Sequence, residues 1–364
     1  MPATRRNSTR HLLTIRQVQE SLVVAPPPSL QNACVAGLQA ALSILIALTA
    51  THLSAWPHLV AFPALGALAA LFGRYASLAR RRQIVFICGA LLTAGVFFPS
   101  LASYAGASPA LMVVLLAACA GAFTIAVSHW GLGGPGAVIF VFAVGAVMGP
   151  VDSWPTVAER TAATAVGAAL AWLVCMATDW LRAQDVVVPG QPSGYLPPFK
   201  HHLAAAARIA AGAALAALIT YWAGGHYPAW AAIGATAVMQ GSHLHITMNR
   251  SLQRMAGTMV GAALVWVILG QNPSFWAIVA AIVTFQFITE VIIGYNYALG
   301  QITVTPMALL MTHLASPGAN SNMPVERIVD TIIGAGLGIG LAVLFSSIDD
   351  RAYLAKRRTK TAAK

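Results

Sequence analysis

Charge is the scarcest commodity in this sequence. Only 9% of its residues are Asp, Glu, Lys or Arg, where an ordinary soluble domain carries about 25%. A water-soluble fold needs that charge to solvate its surface. A chain of 364 residues that is 58% hydrophobic is therefore expected to have lipid as its main solvent. Acids are the rarer sign, 10 Asp and Glu against 21 Lys and Arg. Lysine is rare too, and none follows a glycine, which excludes a GxxxxGK[ST] phosphate loop and transport powered by the chain's own ATPase. Cys34, Cys88, Cys119 and Cys175 show no CxxC spacing and each lies in an apolar run, so they read as small core residues. No convincing catalytic constellation is present; neither an enzyme nor a cofactor site is expected.

What the sequence does have is long apolar runs. A hydrocarbon core about 30 Å thick takes roughly 20 helical residues to cross. Hydropathy divides the chain into twelve segments, at 30–53, 56–73, 83–105, 109–128, 132–149, 157–180, 203–223, 227–242, 252–270, 274–293, 296–314 and 325–347. The expected fold is an all-α polytopic membrane protein. The net charge of +11 does not point to nucleic acid, because the basic residues flank apolar runs as topology determinants do. With the N-terminus inside, every Lys and Arg except Arg160 and Arg327 falls on the cytoplasmic side, so both termini are predicted inside. Residues 1–29 read as a cytoplasmic tail, Arg-rich and free of acids through Gln17. Its stretch from His11 to Val24, ended by Pro26-Pro27-Pro28, reads as a short amphipathic helix on the membrane surface.

The chain also repeats itself at an offset of 167 to 168. His58-x-x-Ala61-x4-Gly66-x6-Gly73 returns as His226-x-x-Ala229-x4-Gly234-x6-Gly241, and Gly89-Ala90 returns as Gly257-Thr258. Pro150-x8-Glu159-Arg160-x3-Thr164-x2-Gly167-Ala168 returns as Pro317-x8-Glu326-Arg327-x3-Thr331-x2-Gly334-Ala335. This predicts two six-helix halves, 30–180 and 203–347, related by an axis along the membrane normal. A cytoplasmic linker at 181–202 joins them, and a basic cytoplasmic tail at 348–364 follows.

Candidate functional residues come from polar groups inside apolar runs. Asp330 lies one turn beyond Glu326 and three residues from Arg327; an acid in a span faces a partner or a water-filled cavity. Asp330 and Glu290 are the candidates for proton coupling, with an Arg327–Asp330 ion pair as the structural alternative. Arg254 is placed at the inner end of its span, and Arg327 and Arg160 at outer ends beside Glu326 and Glu159. Gly131-Leu-Gly133-Gly-Pro-Gly136 fits the GxGxxG expression but lacks a preceding strand; it reads as a break at the start of the fifth span, opposite Thr305-Pro306 in the eleventh. His243-x-His245 would point two rings apart on a helix, so no metal site is expected. His58 and His226, beside Trp56, Tyr227 and Trp230, read as an interfacial aromatic belt. Gly257-x3-Gly261, Gly145-x3-Gly149, Gly334-x3-Gly338 and Gly336-x3-Gly340 read as packing motifs.

Four of these stretches together resemble the fusaric acid resistance family, grouped with aromatic acid exporters. They are Tyr227-Pro228-Ala229-Trp230, then Arg254-Met-Ala-Gly257-Thr258-Met-Val-Gly261-Ala262, then Asn296-Tyr297-Ala298 with Thr305-Pro306, and Glu326-Arg327-x2-Asp330-Thr331-x2-Gly334. The resemblance covers most of 205–345 and, more weakly, 35–175. It implies an inner-membrane exporter of small organic acids, with Arg254, Arg327, Arg160, Trp230, Tyr297 and Thr305 as substrate contacts and Gly257, Gly261, Gly334 and Pro306 as packing residues. A periplasmic adaptor or a homo-oligomer would be its protein partners. Larger family members carry a soluble domain between their halves, where this chain has only its linker. An organic-anion channel, similar in layout to the plant malate channels, and a membrane assembly protein remain the alternatives.

The orientation is testable with single cysteines and an impermeant maleimide. Positions near 106, 152 and 318 are expected to react from outside, and positions near 78, 190 and 358 from inside. Labelling of 190 from the periplasmic side would overturn both the orientation and the parallel arrangement of the halves.

Overall fold

A computed structural model describes residues 4–183, 186, 199–241, 243–315, 322–346, 350, 351, 353 and 354. The linker at 181–202 and the tail at 348–364 lie largely outside them. Among the described residues the chain is helical throughout, without strands. Two short helices, α1 (Arg5–Leu12) and α2 (Ile15–Ser21), precede α3 (Leu30–His52), α4 (Ala61–Ala67), α5 (Leu78–Tyr104), α6 (Pro109–His129), α7 (Ala137–Gly145) and α8 (Trp154–Thr178). The second half holds α9 (Phe199–Trp222), α10 (Pro228–Met239), α11 (Leu244–Gly270), α12 (Phe275–Ile292), α13 (Tyr297–Ala315) and α14 (Met323–Leu344).

The helix starts follow from local chemistry. Ser29, Ser108, Ser153 and Ser274 each accept a bond from the backbone N–H three residues on, which supplies a first-turn donor with the acceptor it lacks. Proline occupies the first turn of α6, α8, α10 and α14, where a missing N–H costs nothing.

Each of the twelve expected segments contains a helix, but they are not all of crossing length. Among the described residues nine helices are long and apolar enough to span a membrane; 61–71 and 228–239 are shorter, and α7 has 9 residues. A helix the length of α10 rises only about 18 Å. The reason is burial in protein rather than in lipid. Every residue of α10 from Ala229 to Met239 is buried, as are Pro63 to Phe72 of α4 and its 3-10 continuation. Backbone that leaves the helix at bilayer depth must find partners inside the protein. At one such break Gln240, just past α10, accepts the N–H of Ala137 at the start of α7, 3.0 Å away. Gly131, Gly133 and Gly136 have φ of 55°, 75° and 86°, a conformation that only glycine adopts freely, so the fifth segment begins unwound as expected. Thr305-Pro306 does not unwind the eleventh; α13 runs through Pro306.

Contacts sort the loops into two ends. At one end, Ala25 bonds to Tyr295, Asn32 to Ala183, Arg182 to the carbonyls of Arg74 and Ala76, and Arg80 to the carbonyl of Trp130. At the other, Ser103 bonds to the carbonyl of Gly149, and His52 stacks on Phe275. The same contacts recur at positions related by the sequence offset. His58 meets Glu159 at 3.5 Å and His226 meets Glu326 at 2.7 Å. The Arg160 guanidinium lies over Phe62 at 5.4 Å and that of Arg327 over Trp230 at 5.2 Å. A methyl group on Gly167 would come 2.0 Å from the carbonyl oxygen of Pro63, and one on Gly334 2.1 Å from that of Ala231.

Not every glycine pair packs. A methyl group on Gly149, Gly336 or Gly340 would meet nothing within 4 Å, whereas one on Gly338 would touch Val238 at 3.2 Å. Residues two apart on a helix face different ways, so Gly336-x3-Gly340 lies off the packed face. Of the cysteines, Cys88 and Cys175 are buried and Cys34 and Cys119 only half-buried. Gly334→Ala is expected to destabilise the protein by about 1–3 kcal/mol through overpacking. Gly336→Ala, on the same helix, should be neutral or slightly stabilising through the helix preference of alanine. Thermal unfolding in detergent compares the two; equal midpoints would refute the close α10–α14 contact.

Candidate functional site

Glycine-mediated approach brings four helices of the second half around one polar cluster. On α11, a methyl group at Gly257 would lie 2.5 Å from the carbonyl oxygen of Ala298, and one at Gly261 would lie 2.7 Å from Cβ of Thr305 and 3.0 Å from Cδ of Pro306. The backbones of α11 and α13 are therefore nearly touching. The hydroxyl of Ser251 donates to the carbonyl of Ala335 at 3.2 Å and sets the register of α11 against α14.

Arg254 of α11 is 2% exposed, and its Nη1 donates to the Tyr297 hydroxyl at 3.0 Å and to Oε1 of Gln301 at 3.3 Å. Arg327 of α14 is equally buried, with its guanidinium on the Trp230 ring, which in turn stacks on Tyr227 at 4.0 Å. Arg254, Tyr297 and Asp330 all lie within electrostatic range of Arg327. The sequence reading put the two arginines at opposite ends of their spans; the structure brings them together inside the bundle. Nε of Arg254, Nε and Nη1 of Arg327, and the hydroxyls of Thr258, Thr305 and Thr331 are buried and make no hydrogen bond among the described residues. Among the described residues neither guanidinium has a carboxylate at ion-pair distance, and Asp330 acts on Arg327 only from farther off; buried cations without a close carboxylate are costly, because burial removes their hydration. The arrangement suits an anion that accepts from both guanidinium groups.

Asp330 is 3% exposed and, among the described residues, is not at ion-pair distance from Arg327, although the two lie within electrostatic range of each other. It turns to a cleft of about 160 Å³ between α9 and α14, lined also by Thr220, Glu326 and Val329, and its Oδ2 has no hydrogen-bond partner among the described residues. Glu290 is engaged: near the end of α12 it forms a tight ion pair with Arg74, in the loop after α4, and so joins the two halves. Burial works to lower Arg74, and the Glu290 carboxylate beside it prevails, holding the guanidinium above its ordinary range. Nearby, Arg81 and Arg182 share Asp179 at 3.5 and 3.9 Å. Burial, with Arg81 beside it, pushes Arg182 down to about 10 against the pull of Asp179. Arg160 lies over Phe62 of the first half, apart from the cluster.

Gln301 and Thr258 were missed as site residues. The repeat held a signal for Thr258: Arg254, Thr258 and Asp330 stand where the first half has Phe86, Ala90 and Ala163. His243 and His245 do not point apart either. His243 caps α11 from outside the helix, and both rings stack with Tyr353. Among the described residues no group of three or more metal-ligating side chains forms.

Residues 215–341 match the family described as fusaric acid resistance protein-like, a stretch that contains every residue of the arginine cluster. The chain is also 33% identical over 111 residues to the uncharacterized membrane protein YvaC of Bacillus subtilis (strain 168). That alignment takes in 30% of this chain and 18% of the Bacillus protein. No solved structure matches the chain. With its apolar helices and the matched second half, the chain is a polytopic membrane protein carrying a fusaric acid resistance protein-like region.

Proposed function

We propose that this protein exports small organic acids, chiefly aromatic carboxylates, across a bacterial inner membrane, with both termini in the cytoplasm. The observation that carries the reading is the pair of buried arginines, Arg254 and Arg327, with no carboxylate at ion-pair distance among the described residues and with unpaired donors beside aromatic side chains. A carboxylate between them would accept charge-assisted bonds, and an aromatic body would rest near Trp230 and Tyr297. The family likeness adds membrane transport as the class of activity. An inside-negative potential drives a monoanion outward by about 2.3 kcal/mol per 100 mV, so exit needs no ATP. Asp330 is the group for proton exchange: it is buried, not in a close ion pair with Arg327, and reached by its own cleft.

In proteoliposomes, Arg254→Gln should raise the apparent KM for a hydroxybenzoate about tenfold or more, the loss of one charge-assisted hydrogen bond of about 1.5–3 kcal/mol. Arg160→Gln, remote from the cluster, should leave KM within a factor of about two. Equal loss of folded protein and of transport in the Arg254 variant would mark a packing role instead.

Asp330→Asn keeps the side chain's shape and cannot titrate. It is expected to abolish acceleration by an imposed pH gradient while potential-driven movement of the anion persists. A wild-type response to the gradient would remove Asp330 from coupling. Unitary currents in a planar bilayer would assign the same arginine site to an anion channel.

A further inference from the structure

The N-terminal segment is amphipathic in the inverted sense. Three of its polar residues face the protein: Ser8, Gln17 and Ser21 are 3%, 0% and 3% exposed. The amide of Gln17 donates to Asn249 and to the carbonyl of His245, while Gln253 and Asn296 both donate to the carbonyl of Ser21, at 2.7 and 3.0 Å. Asn296 also donates to the carbonyl of Val23, and Pro27 packs on Gly294. Leu12 packs inward on Leu244, Ala342 and Leu354, but the other apolar side chains point away, with Leu13 73%, Ile15 79% and Leu22 66% exposed. Water would favour the reverse arrangement, since exposed apolar area is what burial removes. The same segment carries Arg5, Arg6, Arg10 and Arg16 against the single acid Glu20, which pairs with Arg16.

We infer that residues 5–24 form a strap whose outward face docks on the anionic headgroups of the inner leaflet, Leu13, Ile15 and Leu22 entering the acyl boundary and the arginines meeting lipid phosphate. Apolar residues backed by arginine are the chemistry that an anionic bilayer surface takes up. The position of the strap gives this docking a consequence. Gln253 and Asn296, which hold it, immediately precede Arg254 and Tyr297. Its protein-facing side therefore bridges α11 and α13 on the cytoplasmic side of the arginine cluster, and lipid that holds the strap keeps that bridge in place. The lipid contact itself does not depend on the export reading and is measured without transport.

The test uses the full chain with its four cysteines changed to alanine and an environment-sensitive bimane label at Ile15→Cys. It is reconstituted singly in nanodiscs of phosphatidylcholine, or of phosphatidylcholine mixed with phosphatidylglycerol. The anionic discs should give blue-shifted emission and several-fold weaker quenching by aqueous iodide, with the difference shrinking at high salt. Replacing Arg5, Arg6 and Arg10 by Gln should erase the difference. A label at Ala105→Cys in an outer loop should not change between discs, which reports intact assembly. Equal emission in the two lipids, quenching as in water in both, or a shift that appears only in discs holding two copies would each overturn the lipid assignment.

Discussion

The structure depends on backbones touching where glycine has no side chain. Lipid tails are as apolar as leucine, so helices in a bilayer gain little by hiding apolar surface from one another and associate through close contact instead. Gly334 against Ala231 fixes α14 on α10, and this puts Arg327 on the Trp230 ring. Gly257 and Gly261 against Ala298, Gln301 and Thr305 fix α11 on α13, and this puts Arg254 within reach of Tyr297 and Gln301. The Ser251 to Ala335 bond ties the two pairs together. A methyl group at any of these glycines would displace the polar side chains along with the backbone.

Within that frame the buried arginines are of two kinds. Arg81 and Arg182 share Asp179, and Arg74 has Glu290. These pairs repay part of their desolvation and hold loops in place, and Arg182 adds bonds to the carbonyls of Arg74 and Ala76. Arg254 and Arg327 have no acid, only a phenol, an amide and a ring face. Geometry alone does not force this, because Asp330 is one turn from Arg327 and faces the opposite cleft. At this cluster, then, two buried guanidinium groups keep donors that no close carboxylate takes up among the described residues.

Much of the fold was legible in the sequence. Apolar runs placed the helices, because hydropathy depends on nearest neighbours alone. Helix length was misjudged at α4, α7 and α10, since hydropathy cannot tell a helix buried in lipid from one buried in protein. The site was half legible. Arg254, Arg327, Trp230 and Tyr297 were named, but Arg254 and Arg327 were assigned to opposite ends because sequence position along a span ignores how far two helices slide past each other. The Ser251 to Ala335 register decides that slide, and no periodicity contains it. The pairing of His58 with Glu159 and of His226 with Glu326 was missed for a different reason: each residue had an adequate interfacial explanation by itself.

The two halves also differ in a way that bears on where chemistry can be placed. Backbone contacts at Gly167 and Gly334, the His–Glu pairs, and an arginine over an aromatic ring occur in both. The polar set does not: Phe86, Ala90 and Ala163 stand where the second half has Arg254, Thr258 and Asp330. A scaffold held by backbone and ring contacts does not rely on those three side chains, so they can differ between halves without altering the packing. The Arg254, Thr258 and Asp330 set is then confined to one half, while the other contributes Arg74 to Glu290 and the Gly136–Ala137 turn against Gln240. The first half also packs Gly121 of α6 against Ala206 and Ala210 of α9, so α9, α10 and α12 are the helices of the second half that the first half grips.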